Sequence, residues 1–273
     1  MNKPIVVGAV AYDPKVVTIW ELIREYFKEA DIPNDFVLFS NYEAQVEALL
    51  DGFIDIAWNT NLAYVRVYRR TDGACRVLAM RDTDVEFTSV IVARSDRGIS
   101  RLSDLKGKIV AFGSRDSGQA AILPAYFLAA NGVDPGKDIR PLRFDLDVGK
   151  HGDTGTSEVE VLDAVTKGQA DAGALGDQYW ARVLAEGQVD RGKIQPIWTS
   201  PPYCHCNFTI LEKRFNPALE RWAEALLRMD YNNPQHRRIM DLEGLKRWVP
   251  PQLDGYKPLF EAVESLGYFA NAR

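Results

Sequence analysis

Apolar and polar positions alternate along the chain in two distinct periods. Ile5-Val6-Val7-Gly8-Ala9-Val10 is a short, β-branched apolar run that Tyr12-Asp13-Pro14 breaks, which predicts a buried strand ending at a loop. In the stretch that follows, Val16, Ile19, Trp20, Ile23, Tyr26 and Phe27 recur at three- and four-residue spacing while Glu21, Arg24 and Lys28 fall between them, the pattern of an amphipathic helix. Residues 36–39 read as a second strand, 43–50 as a short helix, and 53–58, made nearly all of core residue types, as a third strand. Such alternation predicts a parallel sheet covered by helices.

Between Val77 and Arg94 the pattern changes to two strand-like stretches, 77–80 and 88–93, separated by Asp82, Asp84 and Glu86. We read this as a crossing into a second lobe that restarts the same grammar. It has a strand at 108–112, a helix at about 118–130, a strand near Leu142, a helix at 159–165 and a strand at 170–174. A return crossing is expected near 197–210, with helices at 217–229 and 256–266 packing back on the first lobe. The fold class expected is therefore α/β in two lobes. Residues 1–85 with 206–273 form a discontinuous first lobe, 90–198 the second, and 86–89 and 199–205 the hinge crossings. No internal repeat or low-complexity segment interrupts this order.

A length of 273 residues fits two packed lobes, because single cores stop growing at about 250–300 residues. Hydrophobic residues at 46% and charged residues at 26% describe an ordinary globular composition. The net charge of -5, with no long basic run, argues against a nucleic-acid partner. No stretch reaches the roughly 20 continuous apolar residues of a membrane-spanning helix, so no membrane insertion is expected. Met1 to Ile5 lead straight into the first strand without a secretion signal, an expectation of a cytoplasmic chain, or of a periplasmic one if a signal has been trimmed. Cys75, Cys204 and Cys206 are too few and too unevenly placed for a disulfide framework.

Candidate chemistry lies at the joints between elements. The segment Gly113-Ser114-Arg115-Asp116-Ser117-Gly118-Gln119 joins a strand to a helix and offers hydroxyls, small residues and helix-start N–H groups that can hold an oxyanion. The alternative is a plain helix cap by Asp116 or Ser117. Trp58, Asn59 and Asn61 end another strand. Asn61 can cap the next helix or face a ligand, and Trp58 can line a cleft or pack in the core. Tyr12 follows the first strand, Thr88 and Ser89 fall on the first crossing, and Asp177 lies near a helix start. A carboxylate at 177 favours a cationic or hydrogen-bond-donating ligand, and Arg115 is the one guanidinium placed near the loop, whereas dianions recruit several charged donors. At the return crossing, Tyr203-Cys204-His205-Cys206-Asn207 is unusually polar. In a strand Cys204 and Cys206 share one face and His205 points to the other, so one metal cannot take all of them without a bend. Polar lining with packing is the main reading, and a transition metal on Cys204, His205 and Cys206 the alternative.

Three segments carry a resemblance. Ile99-Ser100-Arg101-Leu102-Ser103-Asp104-Leu105-Lys106-Gly107-Lys108-Ile109-Val110-Ala111-Phe112 resembles a strand-entry signature of type II periplasmic binding proteins. Ser117-Gly118, Pro124 and Leu128 to Pro135 are similar in order and spacing to the phosphonate-binding branch, and Val165 to Ala174 resembles a further signature of it. The resemblance implies a ligand in a cleft between two α/β lobes joined by crossing strands, no cofactor, and an ABC importer as a possible partner. It also implies that Asn59 and Asn61 contact ligand, and that a histidine precedes the helix near 159. His151 is the candidate, although residues 152–156 look inserted relative to the usual spacing. His236 sits in a basic, surface-like run and reads as solvated.

Two functions from different classes follow. In one, the chain captures a small polar or anionic solute, phosphonate-like or another small oxyanion, by lobe closure. In the other it is a cytoplasmic enzyme on the same fold, similar to thiamine-pyrimidine synthases, that uses the Cys204-His205-Cys206 stretch.

Overall fold

A computed structural model describes residues 3–270. Met1 and Asn2, where a secretion signal was sought, and residues 271–273, the end of the expected first lobe, lie outside the described residues. In chain order the strands and α-helices are β1 (Ile5–Val10), α1 (Lys15–Glu29), β2 (Asn34–Phe39), α2 (Tyr42–Asp51), β3 (Ile56–Asn59), α3 (Asn61–Arg70), β4 (Cys75–Val77) and β5 (Met80–Arg81). There follow β6 (Ser89–Arg94), β7 (Ile109–Phe112), α4 (Leu123–Ala130), β8 (Arg140–Arg143), α5 (Thr156–Thr166), β9 (Ala172–Gly176), α6 (Asp177–Ala185) and β10 (Ile194–Thr199). The last are β11 (Asn207–Leu211), α7 (Pro217–Leu227), α8 (Pro234–Glu243), β12 (Trp248–Val249) and α9 (Lys257–Ser265).

The chain divides into two compact units. One holds the residues up to Glu86 together with Cys204–Tyr256, the other Phe87–Tyr203 together with the residues from Lys257 on. The first contains a sheet in the order β2-β1-β3-β11-β4, in which β1 runs parallel to β2 and β3 while β11 is antiparallel to β3 and β4. Alternation along β1 separates two core layers: Ile5, Val7 and Ala9 join Trp20, Phe27, Phe208 and Trp222, while Val10 joins Tyr42, Val46 and Leu49 on the other face. A small ladder pairs β12 with β5.

In the second unit the sheet runs β10-β6-β9-β7-β8, with β7 parallel to β8 and β9 and β6 antiparallel to both of its neighbours. Ile91, Val110, Phe112 and Ala174 face one core layer, and Val90, Ala111 and Leu175 the other. Both sheets are thus mixed, because a strand entering from the other unit lies antiparallel within each.

Two expectations are corrected. Phe53, expected in a core strand, is 75% exposed. Gly52 ends α2 at φ +78, and Phe53 and Ile54 bond back to the Ala48 carbonyl, so this stretch is a turn and the strand starts only at Ile56. The C-terminal helix does not join the first unit: α9 packs on α4 and on the helical turn before it, burying Leu259, Ala262 and Val263. Periodicity defined its apolar face but not its partner. Tyr256, the residue before it, stays with the first unit, where its ring meets Tyr64 and its hydroxyl accepts from Asn207. Among the described residues no helix is long and apolar enough to cross a membrane.

Candidate functional site

In the second unit, polar side chains gather where β7 and β9 end. Gly113 follows β7 because a Cβ there would lie 2.8 Å from the Ala120 Cβ and 3.0 Å from the Ser157 Oγ. Ser117 caps the next helical segment, its Oγ accepting from the Ala120 amide at 3.1 Å. The first turn, Gly118–Ile122, is π-helical before it tightens into α4, a local widening that recurs at functional sites. Asp116 is not a cap. Its carboxylate accepts from the Ser114 hydroxyl at 2.5 Å and from the Gly149 amide at 2.5 Å, tying the loop to the segment that carries His151. Ser114, Asp116, Ser117 and Gln119 are buried, whereas Arg115 is exposed, its amide bonded to Asp145 at 2.7 Å. Arg115 is thus held at its backbone, with its side chain on the exposed side of the loop.

His151 is buried at a left-handed φ of 53°, uncommon for a non-glycine residue. Gly152 brings its loop against the cap, since a Cβ there would fall 2.5 Å from Ser117 Oγ and 2.9 Å from Gln119 Nε2. Ser89 donates to the Gln119 carbonyl at 2.7 Å and lies 2.8 Å from the Tyr203 hydroxyl. Thr88 donates to Asp177 at 3.0 Å. Burial holds the Asp177 carboxyl above its ordinary range, with the Thr88 bonds opposing the rise. Glu158, which the sequence reading passed over, is buried and accepts from the Gly176 amide at 2.6 Å. Burial pushes its carboxyl up to about 7 against the pull of that amide, the Gln119 side chain and Arg182. The sequence signal for it was available: Thr156-Ser157-Glu158 opens α5, where an acidic residue in the first turn faces the preceding loop.

The first unit gathers Trp58, Asn59, Thr60 and Asn61 at the end of β3. The Trp58 ring packs on Phe208 at 4.4 Å and Trp248 at 5.8 Å and carries the Arg81 guanidinium 5.3 Å over its face, the packing alternative. Thr60, not Asn61, caps α3 by accepting from the Ala63 amide at 3.2 Å. Asn61 accepts from the Leu62 amide and donates to the Cys204 carbonyl, and Asn59 accepts from Gln45 at 2.8 Å. The Asn59 Nδ2 is buried with no hydrogen-bond partner among the described residues. Tyr12, half-buried, packs on the core layer of β1.

The Cys-His-Cys stretch departs from the strand geometry expected of it. β11 begins only at Asn207, and Tyr203 forms an isolated bridge with Phe87. Released from strict alternation, His205 and Cys206 converge, with Nδ1 3.0 Å from Sγ and 3.7 Å from the Asp84 carboxylate. Cys204 turns elsewhere: its thiol donates to the Gln252 carbonyl at 3.2 Å, and burial pushes it up to about 12. The residues that could hold a metal are therefore Asp84, His205 and Cys206, whose ligand atoms all lie within 4.8 Å of one another, and not the expected trio. Asp84 is already charge-balanced, since Arg81 meets both of its oxygens, at 2.6 and 2.9 Å. Arg81 and Asp84 gave no sign in the sequence beyond the acidic spacing of the crossing.

Comparison with known proteins joins this geometry to a family. The family of ABC transporter phosphonate periplasmic substrate-binding proteins matches residues 7–256. The chain belongs to this family. A relative within reach is the probable ABC transporter phosphite binding protein PhnD1 of Prochlorococcus marinus, 27% identical over 253 residues that cover 89% of this chain and 82% of that protein. The structure of Prochlorococcus marinus PhnD1 in complex with methylphosphonate superposes with a TM-score of 0.73 at 25% identity, over 97% of this chain and 98% of that one. A Xanthomonas citri protein bound to ATP shares the fold, with a TM-score of 0.74 at 18% identity over 99% of each chain. A two-lobed type II periplasmic binding protein fold is thus what the chain adopts, as its three signature segments implied.

Proposed function

We propose that this family member is the substrate-binding component of an ABC importer and captures a small phosphonate-like oxyanion outside the cytoplasmic membrane. The observation that carries the reading is the strand-to-helix loop of the second unit, where Ser114, Ser117 and Gly118 are buried together at the start of a helical segment. Helix-start amides and a hydroxyl there favour negative charge. The named specificity of PhnD1 for phosphite, and its complex with methylphosphonate, point to the same ligand class. In this reading Thr88, Ser89, His151, Asp177 and Tyr203 shape the second unit's contribution, while Tyr12, Trp58, Asn59, Asn61 and His205 belong to the first.

Thermal unfolding in the presence of methylphosphonate, phosphite and phosphate tests it. One of them at 100 times its dissociation constant should add about 2.7 kcal/mol of stability. Ser117→Ala, which removes the hydroxyl without adding volume, should retain the fold and reduce that increment. No stabilisation by any of the probes would sink the reading.

No observation favours the enzyme alternative over this one. The metal form of that alternative on Cys204, His205 and Cys206 is weakened because the Cys204 sulfur is held at the Gln252 carbonyl.

A further inference from the structure

Proton positions in the second unit decide what its ligand must bring. A hydroxyl has one proton. Ser114 gives its proton to Asp116, Thr88 to Asp177 and Ser89 to the Gln119 carbonyl. Because the Ser89 proton is committed, the 2.8 Å contact with Tyr203 must be donated by the Tyr203 hydroxyl. The Gln119 side chain and the Gly176 amide both turn toward Glu158. The hydroxyl protons of Ser114, Thr88, Ser89 and Tyr203 are thus committed within the cluster, which leaves those of Ser117 and Ser157, beside the helix start, for a ligand. Two atoms of the cluster await a partner among the described residues: the Ser157 Oγ, on a residue 1% exposed, and Asp177 Oδ1.

Glu158 and Asp116 are buried and Asp177 is half-buried in this unit, and among the described residues no lysine or arginine is buried beside them. A buried carboxylate and a fully ionised headgroup placed against it repel unless a proton lies between them. We propose that the second unit captures its oxyanion together with one proton, shared between Glu158 and the ligand headgroup. This rests on the oxyanion reading above and adds the ligand's protonation state to it. Groups facing Glu158 from the packed elements are Arg182 and Tyr179 of α6, Asp153 of the preceding loop and Tyr203 of the return crossing. Arg182 favours the ionised form and Asp153 the neutral one, but burial outweighs both, which places the carboxyl where a proton is available near neutral pH. The balance is simple: carboxylate plus oxyanion plus one proton from solvent gives a hydrogen-bonded acid–anion pair, with no bond to carbon, phosphorus or sulfur made or broken.

Calorimetric titration of the full chain at pH 6 and pH 8.5, each in two buffers of different ionisation enthalpy, counts the protons taken up. Methylphosphonate can carry its own proton and methanesulfonate cannot, so the two probes separate the ligand from Glu158 as the proton's seat. At pH 8.5 methylphosphonate should bind with uptake of about one proton. If methanesulfonate binds, its affinity should weaken roughly tenfold per pH unit above 7, and Glu158→Gln should flatten that dependence. Absence of sulfonate binding beside proton uptake with methylphosphonate would assign the proton to the ligand. The wild-type measurement stands even if the variant folds poorly. Methylphosphonate bound at pH 8.5 with no net uptake, or an unchanged sulfonate pH slope in Glu158→Gln, overturns the inference alone. No binding of either probe at either pH removes the oxyanion reading along with it.

Discussion

Glu158 combines burial with donors from the Gly176 amide and the Gln119 side chain, and burial outweighs both, which makes it a sensor of pH for the fold itself. An ordinary carboxyl at 4.5 rises here to about 7. Since the folded chain holds the proton more tightly than the unfolded one, its stabilising contribution is present in full below about 4.5. It is lost as pH rises through about 7. At about 1.4 kcal/mol for each pH unit of the rise, the loss amounts to roughly 3 kcal/mol, an upper figure because Arg182 lies close. Urea unfolding of the ligand-free protein between pH 5 and 8 should show that decline in wild type and its absence in Glu158→Gln. A flat wild-type profile would mean that the carboxyl is better solvated than its buried position implies. Residues of this kind were hard to read in advance. Ser114, Ser117 and Gly118 stood out because strand-to-helix turns have a known chemistry. The place of Glu158 in the first turn of α5 was legible, but its depth, the decisive property, depends on β9 ending against α5. Asn61 shows the reverse error: Thr60, one residue earlier, is the better-placed cap, and Asn61 turns its amide to the Cys204 carbonyl.

At the scale of elements, most of the βα alternation was legible because buried strands and amphipathic helices have different periods. Its failures occurred where glycine or a crossing redirected the backbone. Gly52 turned the supposed strand at Phe53 into an exposed turn, and the start of β11 at Asn207 left His205 and Cys206 free to converge. Gly173 shows a glycine that the packing requires. It sits in β9 opposite α5, and a Cβ there would lie 2.6 Å from Val161 Cγ1 and 2.9 Å from Val165 Cγ2. Valine in a helix has little rotamer freedom to yield, so the strand or the helix must shift. Gly173→Ala should cost about 1–3 kcal/mol. Gly136→Ala, on an exposed turn at an ordinary φ, should stay within about 0.5 kcal/mol. Denaturant midpoints for both variants test the contrast, and equal midpoints would show that α5 is not seated against β9 as closely as described.

On the scale of the whole molecule, the restart of the βα pattern leads a reader to expect two units with only the first discontinuous, whereas the ownership of the C-terminal helix makes the second discontinuous as well. An apolar stripe at Leu259, Ala262 and Val263 tells a reader that α9 must be covered, not which face covers it. The structure gives that role to α4 in the second unit, where the Tyr126 hydroxyl also donates to Glu261 at 2.6 Å. Ending the chain after Tyr256 removes α9 and leaves Tyr256 in place against Tyr64 and Asn207. Burial of a leucine or valine side chain contributes about 1.5–3 kcal/mol, so losing Leu259 and Val263 should cost the second unit several kcal/mol. The sheet built on β1 and β3 should be spared. Hydrogen exchange followed by mass spectrometry should then show α4 and the turn at Gly118–Ile122 losing protection first. Strands β1 and β3 should exchange as slowly as in the full chain. Exchange that quickens in β1 and β3 while α4 stays protected would return α9 to the first unit. Methylphosphonate binding should weaken in the truncated chain as well, because the turn that α9 supports is the one Ser117 caps.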